Sequence, residues 1–393
     1  MAFVADAESE RILQQYLAPQ SPADGSVTRG GIAKAIKHLN RERSPNVLIV
    51  DLSGVDMPVS QVDILASVCE PGVTVIAIGD RDEIGLYRDL LHAGVTDYLI
   101  KPLTPQLLAK SLQRSANAEA TGQISQKLAK MVAFIGARGG VGTTTLAANL
   151  AWYLAERHSR RVVLVDLDLQ HGDSALALNV RPASGLRDAL NNPLRVDATL
   201  LERAMTSCGE RLFVLSSEEP LSDEVRVTPD AIEAIVSVLR PLFHYLIVDV
   251  PRIPSPAYRR ALKIADLRII VADQTLHSVR DAVRLRTLLS DGDGDDGGDR
   301  DGELRNLLVV NRSGEGGRDA VSLSEITNIV ELQPESVIAF QPKLFARAAI
   351  DGRLPAAQGG SFADAIAALA SGLSGRAPER RRFWGLERWG FKR

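Results

Sequence analysis

The sequence MVAFIGARGGVGTTTLAANLAWYL, residues 131–154, sets out an apolar strand, a glycine-rich turn and a helical run in that order. Gly139, Gly140 and Gly142 carry no Cβ, so the backbone can turn sharply there and direct several N–H groups at one anion. A helix predicted to begin near Thr144 adds its N-terminal dipole and its unpaired N–H groups at the same place. This order predicts a phosphate-binding loop.

Thr143 departs from the ordinary phosphate-loop pattern, which has a lysine that reaches the terminal phosphates at this position. Ala137 departs as well, since the first glycine of the common motif falls there. The backbone can still bind phosphate, but the charge that stabilises the transition state is missing. We therefore expect nucleotide binding with weak or no hydrolysis; a glycine-rich turn without a ligand is the alternative. The residues expected to contact the nucleotide here are Gly139, Gly140, Val141, Gly142, Thr143, Thr144 and Thr145.

The composition is that of an ordinary soluble protein. The chain has 393 residues, which is enough for two or three domains, and its hydrophobic content of 45% allows a sizeable core. Cys69 and Cys208 are too few and too far apart for a disulfide framework or a thiolate metal site. The first residues lack a secretory signal, and no apolar run approaches the roughly 20 residues of a spanning helix. We expect a cytoplasmic protein.

The chain has two strongly charged segments of opposite sign, although its net charge is only -3. Residues 291–303 (DGDGDDGGDRDGE) are acidic and rich in glycine, which predicts a solvated loop. Residues 376–393 (RAPERRRFWGLERWGFKR) are basic with interleaved aromatic residues, which suits the headgroup region of an anionic membrane. We expect this tail to bind a membrane surface; a docking peptide for a partner and a disordered end are the alternatives.

Residues 1–115 alternate strand and helix signals, which predicts an α/β domain with a parallel sheet. Apolar runs end at Asp6 and at Asp51, and the run of residues 97–100 is followed by Lys101. Because the carboxyl ends of parallel strands lie along one edge of the sheet, we expect these three side chains to meet there.

This segment resembles the receiver domain of two-component signalling. Asp51 falls where that family has its phosphate-accepting aspartate, and residues 97–102 (DYLIKP) are similar to the signature around its invariant lysine. The family pairs two acids after its first strand, whereas only Asp6 stands here, and Gly79 replaces the hydroxyl residue that ends its fourth strand. Fewer carboxylates weaken the Mg²⁺ site that phosphorylation needs. The resemblance implies a degenerate receiver kept for docking; a phosphorylated Asp51 is the alternative.

Residues 116–130 are polar and small, so we place a linker there, with a linking helix as the alternative, followed by a larger α/β domain over residues 131–375. The apolar strands of this domain also end in polar residues, and two carboxylates two positions apart point to the same face. An aspartate that closes an apolar strand orients Mg²⁺ in P-loop proteins. We predict two doubly wound parallel-sheet domains. The polar residues at the strand ends are Asp166, Asp168, Asp249, Asn311 and Arg312.

Residues 130–375 resemble the MinD/ParA group of deviant-P-loop ATPases, which implies ATP, Mg²⁺ and a homodimer that encloses the nucleotide. The two lysines of that group's loop correspond to Arg138 and Thr143 here, and Arg138 keeps the charge that reaches across to the partner's phosphates. The resemblance gives Asp168 the task of positioning the attacking water, so that Arg138 and Asp168 are the candidate catalytic residues. It also implies Mg²⁺ binding by Thr144, Asp166 and Asp249, and contact with the nucleotide, adenine above all, by Asn311 and Arg312.

Within this group the chain resembles the CpaE/TadZ pilus-assembly proteins. The resemblance is carried by residues 166–173 (DLDLQHGD), by residues 249–252 (DVPR) and by the receiver-like domain in front. It implies a scaffold that helps to place the tight-adherence (Flp-type) pilus machine, peripheral at the inner membrane or at a cell pole, with pilus and secretion proteins as partners. The alternatives are an active MinD/ParA-type positioning ATPase, a response regulator acting through Asp51, and an interaction protein that binds no nucleotide.

A histidine near the carboxylates and a group of arginines on one helix are both expected to be exposed to solvent. His171 lies near carboxylates in the sequence, but the six histidines lack the spacing of metal ligands, so we expect an exposed loop residue. Arg280, Arg284 and Arg286 fall on one predicted helix, which we interpret as a solvated basic face in preference to a nucleic-acid site.

Overall fold

The structure, a computed structural model, describes residues 1–17, 26–40, 42, 44–70, 72–121, 128–223, 226–291 and 305–374. The described chain forms two sheets of mainly parallel strands, each covered by helices. The predicted fold class, α/β with doubly wound parallel sheets, is therefore confirmed. The tail of residues 376–393 and nearly all of the acidic segment 291–303 lie outside the described residues.

The first sheet has five parallel strands in the order β2-β1-β3-β4-β5. Its strands are β1 (Ala2–Val4), β2 (Val27–Arg29), β3 (Val47–Asp51), β4 (Thr74–Gly79) and β5 (Asp97–Ile100). Its helices are α1 (Ala7–Leu17), α2 (Gly31–Leu39), α3 (Pro58–Val68), α4 (Ile84–His92) and α5 (Pro105–Thr121). This order is that of the flavodoxin-like sheets, with the switch point between β1 and β3. Strand β2 was not predicted, because three residues at a sheet edge show no apolar run.

Alternate residues of the strands fill two cores, one on each face of the first sheet. Leu48 and Val50 of β3 pack on one face, and Ile49 packs on the other. Burial on both faces is what crossover helices impose on a parallel sheet. It explains why the central strands appear in the sequence as continuous apolar runs.

Gly79 leaves room for the aromatic ring of Tyr98 on the neighbouring strand. A Cβ on Gly79 would lie 2.2 Å from Oη of Tyr98, whose hydroxyl donates a hydrogen bond to the carbonyl of Arg81 at 3.0 Å. We expect Gly79→Ala to lower the free energy of unfolding of the first domain by about 2 kcal/mol through overpacking. Urea titration, monitored by hydrogen exchange of first-domain peptides, measures this loss.

Gly85 in α4 supplies the control for Gly79→Ala. Apart from its two chain neighbours and the backbone of its own helix, no described atom lies within 4 Å of the position that a Cβ on Gly85 would take. Alanine also has the higher helix propensity, so Gly85→Ala should cause no loss of stability. Equal losses from both substitutions would contradict the packing of Tyr98 against Gly79.

The second sheet has eight strands in the order β13-β12-β11-β6-β10-β7-β9-β8, and only β8 pairs antiparallel. The strands are β6 (Lys130–Gly136), β7 (Val162–Asp166), β8 (Thr206–Ser207), β9 (Leu212–Leu215), β10 (Tyr245–Val250), β11 (Leu267–Ala272), β12 (Arg305–Ser313) and β13 (Pro334–Ala339). The helices are α6 (Thr143–Glu156), α7 (Ser174–Ala177), α8 (Gly185–Asn191), α9 (Ala198–Ala204), α10 (Pro229–Leu239), α11 (Pro256–Ile264), α12 (Leu276–Asp291), α13 (Leu323–Val330), α14 (Pro342–Asp351) and α15 (Ser361–Ser374). Among the described residues, no helix combines the length and the apolar character needed to cross a membrane.

Strand β6 occupies the centre of the second sheet. Its neighbours are β10 on one side and β11 on the other. The chain therefore first adds strands on one side of β6 and later adds strands on its other side. A crevice opens at the carboxyl ends of the strands at such a switch point. The glycine-rich turn follows β6 directly and therefore lies in that crevice.

The two domains contact each other through the amino-terminal sides of their sheets. His244, which precedes β10, hydrogen-bonds to the carbonyl of Cys69, and the hydroxyl of Ser159 donates to the carbonyl of Asn40 at 3.1 Å. Both carboxyl edges consequently face away from these contacts.

His244 is buried in this contact as a neutral ring. Its Nδ1 accepts the N–H of Arg161 at 2.9 Å, so its Nε2 carries the hydrogen that it donates to Cys69. Burial, above all, lowers the pKa of His244 from 6.5 to about 4. The unfolded chain therefore takes up a proton at a higher pH than the folded chain, and stability falls as the pH drops from about 6.5 towards 4.

We expect the natural protein to lose about 2 kcal/mol more stability than His244→Gln between pH 7 and pH 5. Glutamine keeps an N–H donor at this position and does not titrate. Urea unfolding of both proteins at the two pH values, followed by hydrogen exchange of second-domain peptides, measures the difference. Equal losses of stability in the two proteins would show that the pKa of His244 is the same in the folded and the unfolded chain.

Candidate nucleotide-binding site

The phosphate-binding loop joins the end of β6 to α6, whose first residue is Thr143. Gly140 and Gly142 adopt φ angles of 76° and 92°, which lie in the left-handed region that favours glycine. No described atom lies within 4 Å of the position that a Cβ on Gly139 or on Gly140 would take. The loop thus leaves an open cradle in front of the N-terminus of α6, where backbone N–H groups and the helix dipole favour an anion.

Thr143 and Thr144 point in different directions. A Cβ on Gly136 would lie 2.5 Å from Oγ1 of Thr143, so this hydroxyl packs back against the end of β6. Thr144 hydrogen-bonds instead to the carboxylate of Asp249. The structure thus places Thr144 beside Asp249, and its binding of Mg²⁺ stays a prediction.

Asp166 and Asp249 form a buried carboxylate pair, since they occupy the same register position on the adjacent strands β7 and β10. Burial, followed by the nearby charge of Asp166, raises the pKa of Asp249 to about 7. Burial also raises the pKa of Asp166, although the N–H groups of Asp168 and Ser174 donate to its two oxygens at 3.0 and 3.1 Å. Two buried carboxylates and a threonine hydroxyl are hard oxygen donors, so this set fits Mg²⁺.

Asp168 lies at the more open side of the pair. Its Oδ1 accepts the N–H of His171 at 3.0 Å, and its side chain remains partly exposed. Its role in positioning an attacking water molecule stays a prediction. His171 itself is 69% exposed, in agreement with its interpretation as a loop residue. Within the described ranges, no group of three His, Cys, Asp or Glu side chains could hold a metal ion.

Arg138 is held inside its own subunit by Asp273, a residue that the sequence reasoning missed. The guanidinium forms an ion pair with the Asp273 carboxylate, and its Nη1 donates to the carbonyl of Gly139 at 3.0 Å. The hydrogen bond from Arg138 opposes the effect of burial and lowers the pKa of Asp273, so this carboxylate stays charged. The signal was available, because Asp273 ends the apolar run of β11 just as Asp249 ends that of β10.

Asn311 and Arg312 support the loop from behind. The amide of Asn311 is buried and donates to the carbonyl of Val141 at 2.7 Å. Arg312 Nη1 donates to the carbonyl of Gly140 at 2.8 Å, and its guanidinium also pairs with Glu315. The structure therefore brings both residues to the site, but their contacts are with the loop backbone. Their contact with a nucleotide base stays a prediction.

The first domain brings together the three polar residues that the sequence placed at its sheet edge. Lys101 Nζ donates to Asp51 at 2.7 Å and to Asp6 at 2.5 Å. Burial acts to raise the pKa of Asp6, but the hydrogen bond from Lys101 opposes this effect, and the pKa is lowered to about 2. Asp51 is buried, and its oxygens also accept the N–H groups of Ala5 and Ser53. Its phosphorylation stays a prediction.

Comparisons with known proteins show what this chain is similar to. Residues 129–290 match a family model described as an AAA domain, which includes the loop, the carboxylate pair and Asp273. The septum site-determining protein MinD of Bacillus subtilis is 33% identical over 154 residues, which cover 39% of this chain and 56% of that protein. The chain thus spans a little more than half of the curated relatives that it matches.

Solved structures show the same fold. A ParA family ATPase of Chlorobium tepidum has a TM-score of 0.54 and 22% identity, covering 61% of this chain and 98% of that chain. MinD of Pyrococcus horikoshii, solved as a complex with Mg-ADP, has a TM-score of 0.53 and 20% identity, covering 62% of this chain and 96% of that chain. The second domain of this protein is therefore a P-loop domain with the MinD/ParA fold.

Proposed function

We propose that this protein is an ATP- and Mg²⁺-binding, dimerising scaffold for the assembly of tight-adherence (Flp-type) pili, with weak or no ATP hydrolysis. The observation that carries the proposal is the phosphate loop itself. Its cradle and carboxylate pair are intact, whereas the position of the usual lysine holds Thr143, whose hydroxyl packs against Gly136. A site with backbone donors and no lysine binds phosphate better than it stabilises phosphoryl transfer.

The proposed dimer joins two subunits across their nucleotide crevices. In the single chain Arg138 is paired with Asp273, and its side chain is still one-third exposed at the mouth of the cradle. Exchange of this partner for the phosphates of the second subunit's ATP would keep the guanidinium fully paired. The contact between the two domains leaves this face free, because it involves the opposite ends of the strands.

The pilus-specific part of the proposal is supported by the runs DLDLQHGD and DVPR and by the first domain that precedes them. In the structure these runs supply Asp166, Asp168 and Asp249. We propose pilus and secretion proteins as partners, a place at the cytoplasmic face of the inner membrane or a cell pole, and the basic tail as the membrane contact. Deletion of residues 376–393 tests the last point, since unchanged liposome binding would rule it out.

Calorimetry with Mg-ATP and light-scattering mass with and without ATP test the nucleotide part on the natural protein and on Arg138→Ala. We expect the natural protein to bind ATP and to double its mass, and the variant to bind ATP but to remain monomeric. If the natural protein showed neither a heat of ATP binding nor a change of mass, the loop would no longer be a nucleotide-binding site. For the pilus part, we expect surface pili to be lost in a host that carries Arg138→Ala; normal piliation would contradict it.

A response regulator acting through Asp51 is the second candidate, because Lys101 contacts the carboxylate that would be phosphorylated. Among the described residues, Asp6 is the one other acid paired with Lys101, whose single ammonium group bridges both carboxylates. Incubation with acetyl phosphate and intact-mass measurement decides between the two candidates. A stable phosphate adduct on Asp51 would favour signalling.

A further inference from the structure

A cavity opens between α11 and α12, beside the loop that follows β10. Its volume is about 520 Å³, within the size range of small-molecule and side-chain binding pockets. Leu262, Leu285 and Leu288 line it together with the ring of Tyr258. The cavity is separate from the phosphate cradle, but the loop of residues 251–255 that forms one wall begins two residues after Asp249.

The rim of this cavity carries more positive charge than the structure neutralises. Three guanidiniums share the single carboxylate of Asp281, which lines the cavity, and Arg259, another lining residue, has no acidic partner among the described residues. The three arginines that share Asp281 are Arg252, Arg280 and Arg284, of which Arg252 and Arg284 line the cavity. Arg284 is 73% exposed, so it can reach a ligand without disturbing the fold.

We propose that this cavity is a docking site for an acidic peptide segment of a partner protein, which inserts an apolar side chain between α11 and α12. Arginine pairs with carboxylates in a bidentate manner, and several arginines around one acid favour further carboxylates. The apolar floor requires a ligand with an apolar group, and exposed Leu288 and Ile253 extend that surface to the mouth. Acidic residues interleaved with leucine or similar side chains meet both requirements.

Nucleic acid is the less favoured ligand for this face. A phosphate backbone needs cations along an open surface, and Arg286, on the same helix, is paired with Glu331. The leucines that line the cavity suit an apolar side chain better than a polar base. Binding of an oligonucleotide is therefore made one arm of the test.

The test measures by fluorescence anisotropy how tightly the full chain binds a short fluorescein-labelled helical peptide of glutamate and leucine. We expect saturable binding that Arg284→Glu and Leu288→Ser each weaken by about tenfold, while Arg347→Glu, an exposed arginine on α14, has no effect. The same peptide with serine for leucine, or with lysine for glutamate, should bind at least about tenfold more weakly.

Three results would overturn the proposal. The first is no binding of the glutamate–leucine peptide to the natural protein. The second is equal weakening by Arg347→Glu, which would indicate general charge attraction. The third is a duplex oligonucleotide that binds more tightly than the peptide and loses affinity with Arg284→Glu but not with Leu288→Ser. Because Arg284 and Leu288 are both exposed, their replacement should leave the folded protein intact, and circular dichroism of each variant checks this.

Discussion

Gly142→Ala will destabilise the second domain by about 2–3 kcal/mol and abolish its ATP binding. Gly142 precedes α6 with a φ of 92°, a conformation that costs an alanine about 1–2 kcal/mol. The added Cβ would also lie 2.5 Å from Nδ2 of Asn311 and displace the amide that donates to the carbonyl of Val141. Loss of that buried hydrogen bond contributes about a further 1 kcal/mol.

Urea unfolding followed by hydrogen exchange of second-domain peptides measures the stability, and calorimetry with Mg-ATP measures the binding. Gly139→Ala is the matched control for stability, because its φ is not left-handed and its Cβ would meet no described atom within 4 Å. We expect this control to unfold at the same urea concentration as the natural protein. If Gly142→Ala did so too, the support of the loop by Asn311 would be refuted.

Thr143→Lys will raise the rate of ATP hydrolysis by about a hundredfold. A lysine at the first residue of α6 is long enough to leave the position of the Thr143 hydroxyl against Gly136 and to extend over the open cradle. Its ammonium group would then neutralise charge that develops on the transferred phosphoryl group. The carboxylate pair and Asp168 are already in place, so a single charge is the missing part.

Steady-state phosphate release measures this rate, and Thr143→Gln is the control, since glutamine has a long polar side chain without a charge. We expect Thr143→Gln to hydrolyse ATP as slowly as the natural protein. A natural protein as fast as Thr143→Lys would instead identify an active positioning ATPase, with Arg138 supplying the charge from the partner subunit.

The candidate site was largely predictable because its parts follow local rules. A glycine-rich turn after an apolar strand predicts the phosphate loop, and polar residues at the ends of parallel strands predict the carboxylate pair. Strands β2, β8, β9 and β13 were missed, because they are short or lie at a sheet edge and their own sequences carry little periodicity. Strand β11 was missed for a different reason, since its apolar run was present but not used.

The sequence by itself determined which side chains reach the carboxyl edges of the two sheets, because strand polarity and alternation are local properties of the chain. Only the tertiary structure decided which of those side chains pair. It placed Asp273 beside Arg138 and turned Asn311 onto the loop backbone, because β11 and β12 lie on the same side of β6. It also formed the arginine-rimmed cavity between α11 and α12. Pairing across strands depends on the order of the sheet, and that order is set by the packing of helices on both of its faces.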